Sequence, residues 1–274
     1  MHALIRRSIT LAAALTVGTL LAQTTLLEAD FNDGSKTGWL NSSGSGVSVN
    51  NQALSIQSGR HALTYFTPSG TQQTLSTNSS ITVSFTLTFS SVGSSSTGFR
   101  LGLFDSQLML RPTVDGVLTD FQGYDGYIFT FAPAPSGTNT NNLRLRVRTP
   151  LGVDGVQASP ELLGTLTEAA TQTTPATSTY TQIPTNVRVG NETATRTLQI
   201  NTPYTATYSV NRSSDDALLF SFSLTDTNRT FNFGNSFQVT SPSTYAFDAF
   251  AIYSVTTNGS NFVIDTVKIT AVPE

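Results

Sequence analysis

The chain has no cysteine, so disulfides and thiolate metal sites are both excluded. Lysine is almost missing, with only Lys36 and Lys268. Histidine is nearly as rare: beyond His2 there is only His61. That scarcity puts both a multi-histidine metal centre and a histidine-based triad out of reach. Only 11% of residues are charged and the formal net charge is −3. No basic surface of the kind that neutralises phosphates is available, which excludes nucleic acid as a partner. The charged helix formers lysine and glutamate are few, and no segment carries a convincing amphipathic helical period. The chain shows no internal repeat of fixed period.

Serine and threonine fill the polar positions instead, and apolar residues alternate with them. In Ile81–Phe89, Val83, Phe85, Leu87 and Phe89 point one way while Thr82, Ser84, Thr86 and Thr88 point the other. The same period of two runs through Phe99–Leu103, Tyr127–Phe131, Leu143–Val147, Tyr204–Val210, Leu218–Leu224, Ala246–Ser254 and Phe262–Ala271. Turn signals at Gly93–Ser96, Asp115–Gly116, Asp125–Gly126, Ser213–Asp216 and Asn258–Gly259 separate the strands. One apolar face per strand predicts an all-β fold, a two-layer antiparallel sandwich.

The N-terminus reads differently. Arg6 and Arg7 precede an apolar run from Ile9 to Ala22, too short to span a bilayer, which takes about 20 apolar residues. This is the pattern of a secretory signal peptide over 1–22, with the membrane involved only through such targeting segments. Residues 23–271 then form a single β-sandwich domain, interrupted by a Thr/Pro/Ala-rich excursion at about 149–184.

The two ends of the domain carry a resemblance. Asp30-Phe31-Asn32-Asp33-Gly34, Gly38-Trp39 and Asn51-Gln52-Ala53-Leu54-Ser55-Ile56 open it, and Phe262-Val263-Ile264-Asp265-Thr266-Val267-Lys268-Ile269 closes it. Together they resemble the concanavalin A-like lectin/glucanase jelly rolls. The resemblance implies a sandwich with adjacent first and last strands, and a family that includes lectins, glycosidases, lyases and structural modules. The final Ala271-Val272-Pro273-Glu274 resembles the start of a PEP-CTERM sorting signal at 272–274. That likeness implies exosortase-type sorting machinery and a cell-surface or extracellular location in a Gram-negative bacterium.

Candidate sites follow from residue types. A glycosidase needs two carboxylates across a cleft, and the five glutamates Glu28, Glu161, Glu168, Glu192 and Glu274 form no such strand pair. Leu143-Arg144-Leu145-Arg146-Val147-Arg148 places Arg144, Arg146 and Arg148 on one strand face about 7 Å apart. With Leu143, Leu145 and Val147 turned to the core, that face is either a solvated edge or, with Tyr124 and Tyr127 nearby, a groove for the anionic groups of an acidic polysaccharide. Asp30, Asn32 and Asp33 near the first strand and Asp265 in the last offer hard oxygen ligands for a structural calcium. Trp39 is expected to anchor the core or its rim, and His61 to sit at the surface or half-buried in a strand. These features predict an exported, non-catalytic carbohydrate-binding surface or matrix protein. A structural envelope protein without a discrete ligand and a divergent lyase or hydrolase are the alternatives.

Overall fold

The computed structural model describes residues 22–41, 45–95, 98–116, 121, 123–134, 143–148, 162–163, 180–183, 197–228 and 231–274. The expected signal segment 1–22 lies, except for Ala22, outside the described residues, as does most of the 149–184 excursion. The chain runs through β1 (Thr24–Ala29), β2 (Trp39–Asn41), β3 (Val47–Asn50), β4 (Ala53–Ile56), β5 (His61–Tyr65) and β6 (Gln73–Thr74). It continues with β7 (Ser80–Ser91), β8 (Phe99–Asp105), β9 (Asp125–Phe131), β10 (Arg144–Arg148) and β11 (Tyr180–Ile183). The last elements are β12 (Pro203–Ser214), β13 (Ala217–Asp226), β14 (Asn232–Thr240), β15 (Ala246–Phe247), β16 (Ala249–Ser254) and β17 (Asn261–Val272). No helix occurs among the described residues.

The strands form an antiparallel two-layer jelly-roll sandwich. The larger sheet runs β14-β13-β12-β7-β17-β4-β3, with β1 also paired to β17; the smaller runs β11-β10-β9-β8-β16-β5-β2. The first and last strands are neighbours as expected, with Ala29 opposite Val267 and Glu28 opposite Lys268. Alternation accounts for the long strands: Ile81, Val83, Phe85, Leu87 and Phe89 of β7 are buried, and the threonines and serines between them are not. The turn between β3 and β4 places Asn51 and Gln52 at φ 51° and 62°, the left-handed pair of a tight hairpin.

Two sequence readings are corrected. Asp125–Gly126 is not a turn; both residues lie inside β9, and Asp125 pairs with Asp105 of β8. The run Ala246–Ser254 is not one strand, because it breaks at Asp248 and its first two residues pair with β6 in a separate small ribbon.

Two apolar clusters hold the molecule. The first lies between the sheets and contains Trp39, which packs against Phe31 and Phe250 at 6.0 and 6.3 Å between ring centroids. The second lies on the far side of the smaller sheet and joins Leu63, Phe104, Ile128, Ala251 and Tyr253 to Phe121, Tyr124, Leu162 and Leu163. Consequently β8 and β9 are buried on both faces. Gly102 of β8 permits this packing, since a Cβ there would fall 2.6 Å from the Ile128 side chain and the Phe104 ring.

Candidate functional site

The arginine strand is the place to begin. Leu143 and Leu145 join the inter-sheet core and Val147 packs against it, as the alternation requires. Arg144, Arg146 and Arg148 therefore point away from the sandwich, but not into solvent. Arg144 is half-buried, whereas Arg146 and Arg148 are 2% and 0% exposed. Arg148 donates from Nε to the Tyr124 carbonyl at 3.0 Å and from Nη2 to the Phe121 carbonyl at 2.8 Å. A longer contact, at 3.4 Å, reaches the Leu162 carbonyl. Arg100, on neighbouring β8, donates to the Leu163 carbonyl at 2.7 Å. These guanidiniums tie down the segments that cover the smaller sheet, supplying donors to carbonyls that would otherwise be buried without partners.

The aromatic half of the expected groove is also closed. Tyr124 is fully buried in the second cluster, its hydroxyl 2.6 Å from that of Tyr65. Tyr127 faces the other way, into the inter-sheet core, 4.4 Å from the Phe220 ring. The sequence reading of Arg146, Arg148, Tyr124 and Tyr127 as one open, anion-reading surface is thus corrected. It reads which face a side chain takes, but not that a distant segment lies over that face. His61 is likewise more buried than expected, stacked 4.1 Å from Tyr253. Burial, with the charge of Arg100, holds its pKa down to about 3, so it is neutral at physiological pH.

The calcium expectation finds no support in the geometry. Both carboxylate oxygens of Asp30 accept from Asn32, one from its backbone N–H at 3.2 Å and one from its side chain at 2.8 Å. Those bonds, the backbone one foremost, lower the Asp30 pKa. Asp33 accepts from the Ser35 N–H at 2.8 Å. This is turn chemistry. Asp265 sits two residues from Val267, the partner of Ala29, but among the described residues no three acidic or imidazole side chains gather as a metal site.

One end of the sandwich holds polar groups that the sequence reading missed. Asp248, fully buried, accepts from the Ser106 backbone N–H at 2.9 Å, from the Ser106 hydroxyl and from Arg111 Nη2 at 2.8 Å. Arg111 also donates to the Thr67 and Thr71 carbonyls and lies over the Tyr65 ring at 4.7 Å. Beside this pair stand Asp105 and Asp125, directly opposite each other on β8 and β9. Asp105 accepts from Gln72, the Gln107 N–H and the Thr244 hydroxyl. Asp125 accepts from the Gly126 N–H and from the Ser243 hydroxyl at 2.8 Å. Burial pushes the Asp125 carboxyl up to about 6, and the neighbouring Asp105 charge adds to it. Asp105 is raised as well, again chiefly by burial. No spacing motif marks this centre, because its members come from four separate stretches of chain, 65–72, 105–111, 125–126 and 243–248. The one legible signal is a carboxylate at each end of otherwise apolar strands, Asp105 and Asp125.

Next to this centre is an open cleft of about 400 Å³ lined by Tyr127, Val147 and residues 238–243. Ser243 fixes its wall, donating its N–H to the Tyr127 hydroxyl at 2.9 Å and its hydroxyl to Asp125. Among the described residues the lining has hydroxyl, amide and backbone groups beside Val147, Val239 and Pro242, and no charged side chain.

The architecture has counterparts among solved structures. Lectin I from Ulex europaeus, in complex with the methyl glycoside of α-L-fucose, is similar at a TM-score of 0.48 and 9% identity, covering 91% of this chain and 98% of that one. A lectin from Bauhinia forficata in complex with GalNAc is similar at 0.47 and 11%, covering 92% and 99%. An endo-1,3-beta-glucanase from Streptomyces sioyaensis is similar at 0.43 and 11%, covering 97% and 100%. No family model and no curated protein matches the chain. The sorting-signal resemblance gains nothing from these comparisons: Val272 ends β17, and Pro273 and Glu274 follow it exposed.

Proposed function

We propose that this chain is an exported, non-catalytic carbohydrate-binding β-sandwich that takes a neutral sugar in the cleft between Val147 and residues 238–243. The observation that carries the reading is the chemistry of that cleft. It is concave, uncharged, part apolar and part hydrogen-bonding, which is the mix that small-molecule sites present. Hydroxyls and amides act as both donors and acceptors, so they answer the hydroxyls of a sugar in either sense. Export rests on the signal-like segment 1–22.

A neutral ligand replaces the acidic one expected from the sequence, since Arg146 and Arg148 are both buried and Arg148 donates to backbone carbonyls. The non-catalytic reading rests on the carboxylates. Asp105 and Asp125 are 7% and 3% exposed and hold turns and loops, where a hydrolytic pair must flank a glycosidic bond. The test is a glycan array followed by calorimetry on the strongest neutral oligosaccharide. Gln238→Ala with Thr240→Ala should weaken binding about tenfold, the loss of roughly one good hydrogen bond. Absence of any neutral-glycan binding, or release of new reducing ends from a bound oligosaccharide, would overturn the proposal.

A further inference from the structure

Along the middle of β7, β12 and β13 the outward positions of the larger sheet are hydroxyls, and the strand register aligns them; the row beyond them holds Ser80, Asn211, the exposed Leu219 and Gln238. One row across the sheet reads Thr270, Thr82, Ser209, Ser221 and Ser236 on β17, β7, β12, β13 and β14. The next reads Lys268, Ser84, Thr207, Ser223 and Gly234. A third reads Thr86, Thr205, Thr225 and Asn232. Neighbouring members lie about 4.8 Å apart across the strands and about 7 Å apart along them. On β7, β12, β13 and β14 these rows contain no charged and no aromatic residue. Lys268, where the second row reaches β17, is paired with Glu28 at 3.1 Å.

The lattice also has a recess. Gly234 ends the second row without a side chain, and a trough of about 360 Å³ opens there between Thr207, Ser209, Ser221, Ser223, Asn232 and Ser236. A Cβ at Gly234 would fall 2.3 Å from the Phe222 carbonyl oxygen, so the backbone pairing itself demands glycine.

We propose that this face is a second, extended docking surface, and that its occupant is a single strand of uncharged polysaccharide lying in the Gly234 trough and across the hydroxyl rows. Charge complementarity selects the occupant. An acidic glycan or a nucleic acid needs cations, and the rows on these four strands have none. A protein partner is anchored by aromatic and arginine side chains at the centre of its interface, and the rows have neither. A neutral glycan presents what the rows present: hydroxyls that donate and accept at a repeating interval. Adjacent strands are rotated by about 20–25°, so the face suits one flexible strand rather than a flat crystalline surface. The inference extends the carbohydrate reading to a different surface and is tested separately from the cleft.

The test is affinity electrophoresis of the whole protein in gels containing dextran, hydroxyethylcellulose or a galactomannan, with short oligosaccharides of the same sugars measured by calorimetry. At least one polymer should retard the protein, and retardation should persist at roughly 1 M salt, where charge contacts are screened beyond about 3 Å. Thr207→Glu with Ser223→Glu should weaken retardation about tenfold or more, since each carboxylate must be desolvated against neutral hydroxyls. Ser221→Ala with Ser236→Ala is the milder variant should the charged one not fold, and it should weaken retardation severalfold. Ser243→Ala, in the cleft, should reduce oligosaccharide binding and leave polymer retardation unchanged. Absence of retardation by all three polymers, loss of it in high salt, or full retention in both lattice variants would overturn the proposal. So would sedimentation showing that the lattice variants dissociate a dimer, because the occupant would then be a second copy of the chain.

Discussion

Each sheet of this sandwich has one face in the common core and one turned away from it, and the two outward faces are built on opposite terms. On the smaller sheet the outward positions are Leu63, Phe104, Ile128, Ala251 and Tyr253 with Arg100, Arg146 and Arg148 among them, and they lie under a second apolar layer. On the larger sheet they are mostly threonine and serine along the middle of β7, β12 and β13, and no described segment covers them. The difference teaches that burial is a property of what arrives over a face, and that arginine can belong to either kind. An arginine under a cover is stable where carbonyls meet its fixed fork of donors, as the Phe121, Tyr124 and Leu163 carbonyls do here. The covered face adds the stability of a second apolar layer, and the bare one does not.

The strongest way to break this contrast is at the buried pair under the covered end. Arg111→Met leaves the Asp248 carboxylate buried without its cation and frees the Thr67 and Thr71 carbonyls. It should cost about 3–5 kcal/mol, read as a fall in the urea midpoint. A cost below about 1 kcal/mol would mean that this end opens to water easily.

Leu163→Ala tests the cover itself. Leu163 is fully buried in the second cluster, so truncation should cost about 2–5 kcal/mol if the cover unfolds together with the sandwich. If the urea midpoint stays unchanged while protease cuts near residue 163 much faster, the cover is a separate cooperative unit.

A third test uses pH. Asp125 has its folded-state pKa raised to about 6 by burial, above the unfolded carboxylate value. The folded protein therefore holds the proton more tightly, and the stabilisation from the protonated form is complete below about pH 4 and lost as pH rises through 6. The swing is roughly 2–3 kcal/mol. Asp125→Asn should flatten the stability profile between pH 4 and 6; an unaltered slope would assign that titration elsewhere, with Asp105 next in line.

The smallest effect belongs to the bare face. Thr86→Ala, on the outward side of β7, should change stability by no more than about 0.5 kcal/mol in the same urea titration. A loss above 1 kcal/mol would mean that the hydroxyl rows support the sheet and are not merely exposed on it.

Much of the architecture was legible before any coordinates. Period-two alternation is local, and it located β7, β8, β9, β10, β12, β13 and β17 to within a few residues. The end motifs anticipated the β1–β17 neighbourhood. Strands without clean alternation were harder: β14 reads as Asn-Phe-Gly-Asn-Ser-Phe, with two small polar residues at its middle, and went unrecognised. Asp125–Gly126 carries the residues of a turn, yet β8 on one side and β10 on the other hold it extended.

By itself, then, the sequence determined the fold class, the strands that alternate and the face each of their residues takes, because a pleated strand sends successive side chains to opposite sides whatever surrounds it. It also excluded disulfides and multi-histidine chemistry by omission. Only the tertiary structure decided which outward face would be covered. The cover over Arg148 comes from Phe121, Tyr124 and Leu162, and the acidic centre gathers Asp105, Asp125, Asp248, Arg111 and Ser243 from across the chain. Those contacts depend on how long loops close in three dimensions, and no local period in the chain encodes that.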